Sequence, residues 1–139
     1  MRVIGLGNDL VNIDRIERSI TKYGQRFIDR IFTEVEQAYC DGKAARVSNY
    51  AKRFAAKEAC AKALGTGFAK GVFWRDVGVE RDTYGKPRLC LTGGALVRLR
   101  DITPDGMGSQ LDLTLTDDHP WAQAIVLITA IPPHLVDNS

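Results

Sequence analysis

The sequence predicts an α+β domain, and three observations predict it. Between Ile13 and Phe27, apolar residues recur every three or four positions. A second helical stretch, from about Val47 to Leu64, is rich in alanine and lysine. After Gly67 the period drops to two, as in Leu111, Leu113 and Leu115 alternating with Asp112, Thr114 and Thr116. Helices therefore come first and most strands later, the order of an α+β domain rather than of alternating units.

Each element has its own signal. Met1 to Val11 begins as a short apolar strand and passes through Gly5 and Gly7 to Asp9. The helix carrying Ile13, Ile16, Ile20, Tyr23 and Phe27 is expected to bend or break near Gly24. Thr33 followed by Glu36 is a capping box, which starts a short helix that Gly42 ends. Gly65 stops the long helix. Val77 and Val79, then Leu89 and Leu91, read as a hairpin turning near Gly85. Gly93 and Gly94 lead into a short helix bearing Leu96, Leu99 and Ile102, and Thr103 to Ser109 reads as a loop. Ala122 to Ile131 is nearly all apolar and reads as a central strand, ended by Pro132 and Pro133. Residues 133–139 read as a loose tail, and residues 1–139 as one domain without repeat or linker.

Composition narrows the function classes. The chain has 139 residues, of which 45% are hydrophobic, enough for one compact core. Its net charge is only +2, which argues against a general nucleic-acid binder. Cys40, Cys60 and Cys90 are odd in number and widely spaced, which suits a reducing cytosol better than a disulfide framework or a structural zinc site. No signal peptide is read at the N-terminus, and no apolar run approaches the roughly 20 residues of a membrane helix. The expectation is a cytoplasmic protein that binds neither membrane nor nucleic acid.

The usual catalytic devices are scarce. His119 and His134 read as exposed loop residues, and there is no Walker-type phosphate loop. If the chain is an enzyme, its nucleophile belongs to the substrate. Asp9 fits two roles: a cap or turn residue, favoured on spacing alone, or an oxygen ligand of magnesium. Glu58 likewise fits an exposed helix pair with Lys62, four residues on, or a second ligand of the same ion. Arg53, Lys57 and Lys62 precede the segment GTGF, Gly65 to Phe68. Cations beside such a glycine-rich helix end suit a phosphorylated ligand, and equally suit a solvated lysine face. Arg15, Arg18, Lys22 and Arg26 form a basic stripe away from the isoleucines, either a wet surface or a landing site for an acidic protein.

Five blocks in order carry a resemblance. They are GLGNDLVNIDRIE (Gly5 to Glu17), RFIDRIFTEVE (Arg26 to Glu36), RFAAKEACAKALGTG (Arg53 to Gly67), GKP (Gly85 to Pro87) and LTLTDD (Leu113 to Asp118). Over about Ile4 to Ile128 the chain resembles the holo-[acyl-carrier-protein] synthases, the small single-domain class of 4′-phosphopantetheinyl transferases. The resemblance implies N-terminal helices packed on a small, mainly antiparallel sheet. It implies a reaction of fatty acid biosynthesis: 4′-phosphopantetheine passes from coenzyme A to a serine of apo-acyl carrier protein, and adenosine 3′,5′-bisphosphate leaves.

The resemblance also implies roles, position by position. Asp9 and Glu58 would hold magnesium, and Lys62 would meet the transferring or leaving phosphate. The serine proton would pass to Glu58 or to a metal-bound water. Arg53, Gly65, Thr66, Lys86 and Pro87 would line the adenosine and 3′-phosphate end. Arg15, Arg18, Lys22 and Arg26 would meet the acidic carrier protein. A homotrimer with each site built between two subunits is implied as well. Two positions depart from the common pattern. Asn8 before Asp9 is a mild change. Asp117 stands where many relatives have histidine; a carboxylate cannot serve a phosphate as a cation would, so metal binding through water or pairing with an arginine are its alternatives.

Overall fold

The computed structural model describes residues 1–136 of the chain. Strand β1, Arg2–Asn12, opens it. Helices α1, Ile13–Tyr23, α2, Gln25–Ile31, α3, Glu34–Asp41, and α4, Arg46–Leu64, follow. A 3₁₀ turn at Trp74–Asp76 leads into the hairpin β2, Val77–Arg81, and β3, Pro87–Leu91. Helix α5, Gly93–Ile102, then precedes β4, Gly108–Asp118, and β5, Trp121–Ile131. Two antiparallel sheets result, one of order β1-β5-β4 and one of β2-β3. The α+β expectation holds, and β5 is the central strand of the larger sheet.

Period-two alternation decides which face of that sheet is covered. Ala122, Ala124, Val126, Ile128 and Ala130 of β5 are all fully buried on one side. The long helix α4 lies across this side, and its alanines explain how near it comes. A Cβ added at Gly7 would enter the carbonyl of Ala59, and one at Gly5 would come within 2.5 Å of the carbonyl of Ala63. Glycine on the strand and alanine on the helix thus let two backbones touch. Asp9 is the next residue of β1 on the same face, so the close approach delivers its carboxylate to the flank of α4.

Local signals place the other boundaries. The Thr33–Glu36 capping box forms in full, with Thr33 N–H donating to Glu36 Oε1 at 2.8 Å. Gly65 takes the left-handed conformation that ends α4. Two boundaries differ from expectation, and the expected interruption at Gly24 is a complete break. The first strand continues to Asn12, and it is Asn12, not Asp9, that caps α1, accepting from Asp14 N–H at 2.9 Å. Gly24 divides the first helix fully, which puts Arg26 on α2. Gly108 and Ser109 belong to β4 and not to the preceding loop, because they pair with Ile131 and Ala130. Within the expected tail, Pro133–Leu135 forms a 3₁₀ turn; residues 137–139 lie outside the described residues.

Candidate active site

Asp9, Glu58 and Lys62 come together where β1 crosses α4. Lys62 Nζ donates to Asp9 Oδ1 at 3.0 Å and to the Asn8 carbonyl at 3.0 Å. Lys62 therefore crosses to the strand and is paired with Asp9, although Glu58 stands one helical turn away. Burial pushes the Glu58 carboxyl above the usual carboxylate range, and the charge of Asp9 pushes it further. Lys62 and Arg15 oppose both effects. Two carboxylates in mutual repulsion, one half-buried, are relieved by a cation between them. Among the described residues no group of three or more metal-ligating side chains forms. A pair of carboxylates fits magnesium, which takes one or two from protein and fills its shell with water and substrate phosphate.

The other cations of α4 go elsewhere. Lys57 is fully buried, with Nζ 2.8 Å from Glu36 Oε1 and within hydrogen-bond reach of the Val77 carbonyl. It is a core ion pair and does not face a ligand. Arg53 is 3% exposed and stacks over the Tyr39 ring at 4.3 Å, on the side of α4 that faces α3. Among the described residues its Nε is buried without a partner, and its Nη1 makes long bonds to Asn49, at 3.3 and 3.4 Å. With Val35, Tyr39, Val79, Glu80 and Arg81 it lines a surface cavity of about 340 Å³. Arg53 is thus placed apart from the Asp9 cluster. Lys86 and Pro87 sit at the turn of the β2–β3 hairpin, in the second sheet. Gly65 and Thr66 directly follow α4, and the Thr66 hydroxyl donates to the Gly67 carbonyl at 2.9 Å.

Asp117 finds a lysine, not an arginine: Lys52 Nζ lies 3.2 Å from its Oδ1. Sequence reasoning missed Lys52, because the pairing needs the α4-to-β4 register. Arg15, Arg18 and Lys22 are exposed along α1. Arg26 continues the basic surface from α2, where Tyr23, Arg26, Phe27 and Arg30 line a depression of about 470 Å³. Arg30, four residues after Arg26, could have been read from the same helical spacing.

A single α+β domain with an acidic pair and a lysine at a strand–helix crossing is an arrangement suited to phosphorylated ligands. Comparison with known proteins agrees: the sequence profile described as 4′-phosphopantetheinyl transferase superfamily matches residues 5–121, and the chain belongs to that family. The holo-[acyl-carrier-protein] synthase of Mesorhizobium japonicum is 59% identical over 130 residues, which cover 94% of this chain and 95% of that one. The synthase of Parvibaculum lavamentivorans is 55% identical, covering 94% and 98%. Among solved structures, the holo-[acyl-carrier-protein] synthase of Neisseria meningitidis superposes with a TM-score of 0.78 at 36% identity, covering 91% of this chain and 98% of that one. The synthase of Helicobacter pylori, solved in complex with coenzyme A, gives 0.76 at 27% identity, covering 89% and 99%.

Proposed function

We propose that the protein transfers 4′-phosphopantetheine from coenzyme A to a serine of apo-acyl carrier protein, with release of adenosine 3′,5′-bisphosphate. The observation that carries this reading is the meeting of Asp9, Glu58 and Lys62 at the β1–α4 crossing. The serine oxygen attacks the β-phosphorus of coenzyme A, and the bond from that phosphorus to the bridging oxygen breaks. The electron pair leaves on the α-phosphate of the nucleotide. No nucleophile from this chain is needed, which matches the scarcity of catalytic histidine or cysteine. The Cys40 and Cys60 thiols are pushed by burial up to about 12, far from the thiolate form a nucleophile needs.

Asp9 and Glu58 are the residues that would hold magnesium. When bound, the ion supplies charge neutralisation at the diphosphate and polarises the phosphorus under attack. Lys62 is held by Asp9 at the same place and adds a donor toward the transferring or leaving phosphate. Glu58 is the residue of this chain placed to accept the serine proton. Gly65 and Thr66 lie one turn beyond Lys62 and serve the nucleotide.

Two further observations support an assembly. The uncovered face of the larger sheet carries Leu6 at 65%, Leu10 at 56%, Trp121 at 47% and Ile125 at 39% exposure. An apolar sheet face left open is suited to burial against other copies of the chain. Arg53, whose Nε has no partner among the described residues, faces Tyr39, and Lys86 and Pro87 lie at the β2–β3 hairpin and not at the β1–α4 crossing. Both facts fit a homotrimer in which one copy supplies Asp9, Glu58 and Lys62 and its neighbour supplies the adenosine and 3′-phosphate end. The cytoplasm and fatty acid biosynthesis are the setting that this reaction and the free cysteines fit. No helix among the described residues is long and apolar enough to cross a membrane.

Consumption of coenzyme A with and without apo-carrier protein tests the reading. A transferase consumes it only when the acceptor is present. Equal consumption without acceptor would mean a nucleotide hydrolase, and none in either case a binding module.

The exposed basic face of α1 is the proposed landing site for the acidic carrier. Arg15 lies within the field of Glu58, so Arg18 is the cleaner probe. Arg18→Glu is expected to weaken carrier binding by about tenfold and leave coenzyme A binding unchanged, with both read by calorimetry. Added salt should weaken wild-type carrier binding too, since exposed charges are screened beyond about 8 Å at physiological ionic strength. Equal losses for both ligands would remove the helix from carrier recognition.

A further inference from the structure

On the reading that this site binds coenzyme A, we propose that Arg98 of α5 is a positioning residue, which fixes the glycine-rich loop after α4 and thereby sets affinity for that substrate. The loop, residues 65–71, is tightly wound. Gly65, Gly67, Lys70 and Gly71 all have positive φ, between 55° and 82°. For a lysine that conformation is unfavourable and persists only where the surroundings impose it.

Contacts from α5 and from an aromatic stack hold the loop in this shape. Arg98 Nε donates to the Leu64 carbonyl at 2.8 Å, satisfying one of the carbonyls left without a helical partner at the end of α4. The same guanidinium covers Gly65, where an added Cβ would lie 3.4 Å from Nη2. At the other end of the loop, Gly94 of α5 backs onto Gly71 so closely that a Cβ there would enter the Gly71 carbonyl. Between the two ends, Phe68 stacks on Trp74, with centroids 3.8 Å apart and planes 19° apart. Trp74 stacks in turn on Phe54 of α4 at 5.1 Å.

Helix α5 therefore grips both ends of the loop while the aromatic stack holds its middle. The arginine is the polar part of that grip. A cation at a helix C-terminus also meets the negative end of the helix dipole, so its donor bond is stronger than a neutral one. Without it, the first turn of the loop is released, and Gly65 and Thr66 must be ordered again each time the nucleotide binds. Asp9, Glu58 and Lys62 keep their own packing between β1 and α4. The loss falls on binding of coenzyme A and spares the chemical step.

The test is Arg98→Ala in the full chain, assayed with saturating carrier protein and magnesium. KM for coenzyme A should rise by about tenfold while kcat stays within about twofold. Tryptic cleavage after Lys70 should also accelerate in the folded variant, because the loop opens more often. Arg98→Lys, which keeps a charged donor, should recover most of both. An unchanged KM with unchanged cleavage overturns the proposal, as does a fall in kcat that follows lost thermal stability while KM stays fixed. If Arg98→Ala does not fold, Arg98→Met keeps the apolar stem, loses the donor, and is read by the same two measurements. A wild type that transfers nothing would overturn the proposed reaction instead, and the cleavage rate at Lys70 would still decide whether Arg98 holds the loop.

Discussion

Glu58→Gln should lower turnover by on the order of 10² or more while the protein stays folded, since charge stabilisation by a metal is worth several kcal/mol in the transition state. The amide keeps the size of the side chain and loses the anion that magnesium requires. If Glu58 only decorated the surface of α4, the same change would cost about 0.3–0.5 kcal/mol of stability and leave the chemistry alone. Asp9→Asn should behave alike, because β1 brings Asp9 beside Glu58 although 49 positions separate them in the chain. On the proposal that both carboxylates hold one ion, the double variant should lose far less than the product of the single losses. Burial first, and Asp9 second, hold Glu58 above the usual carboxylate range. Proton and cation compete for that carboxylate, so the magnesium requirement should rise as pH falls. Steady-state rates across a magnesium titration, with folding checked by thermal melt, give the answer. A folded Glu58→Gln protein with near-normal rates would return Glu58 to the helix surface.

Lys57→Met should cost about 3–5 kcal/mol of folding stability, the loss expected when a buried ion pair keeps only one partner. Glu36 and Lys57 are both fully buried. Glu36 Oε2 accepts from Val79 N–H at 2.7 Å, and its Oε1 accepts from Thr33 N–H at 2.8 Å and meets Lys57 Nζ. Lys57 also reaches the Trp74 carbonyl at 3.2 Å. One pair thus ties α3, α4 and the start of β2 together. Without Lys57 the carboxylate stays buried beside backbone donors but has no countercharge. Adding Glu36→Gln to Lys57→Met should return part of the loss, because a neutral amide is cheaper to bury. Urea unfolding with an unchanged m-value measures both. A loss below about 1 kcal/mol would show that the pair contributes no more than an exposed one.

Local signals made much of this molecule legible in its sequence. The Thr33–Glu36 box, Gly65 and the alternation of β4 each act through neighbouring residues, so a sequence displays them directly. Asp9, Glu58 and Lys62 were legible through the family blocks around them, not through their spacing. What the sequence hid depends on packing between distant segments. Lys57 looks like one more lysine of a solvated face until α3 brings Glu36 against it. Arg53 reads as one more cation of the α4 row beside Glu58 and Lys62, yet five residues along a helix turn it away from Glu58 and toward Tyr39. Lys52 and Asp117 are 65 positions apart and meet only because α4 crosses the sheet to β4. Arg98 meets Leu64 across 34 positions, with no periodicity to announce it.

The intact mass of apo-acyl carrier protein, after incubation with the wild-type protein, coenzyme A and magnesium, tests the central claim most directly. The predicted result is a gain of one phosphopantetheine on the carrier, abolished by chelator and nearly abolished by Glu58→Gln. A carrier mass that stays unchanged, under conditions where an established phosphopantetheinyl transferase modifies the same carrier, would contradict it.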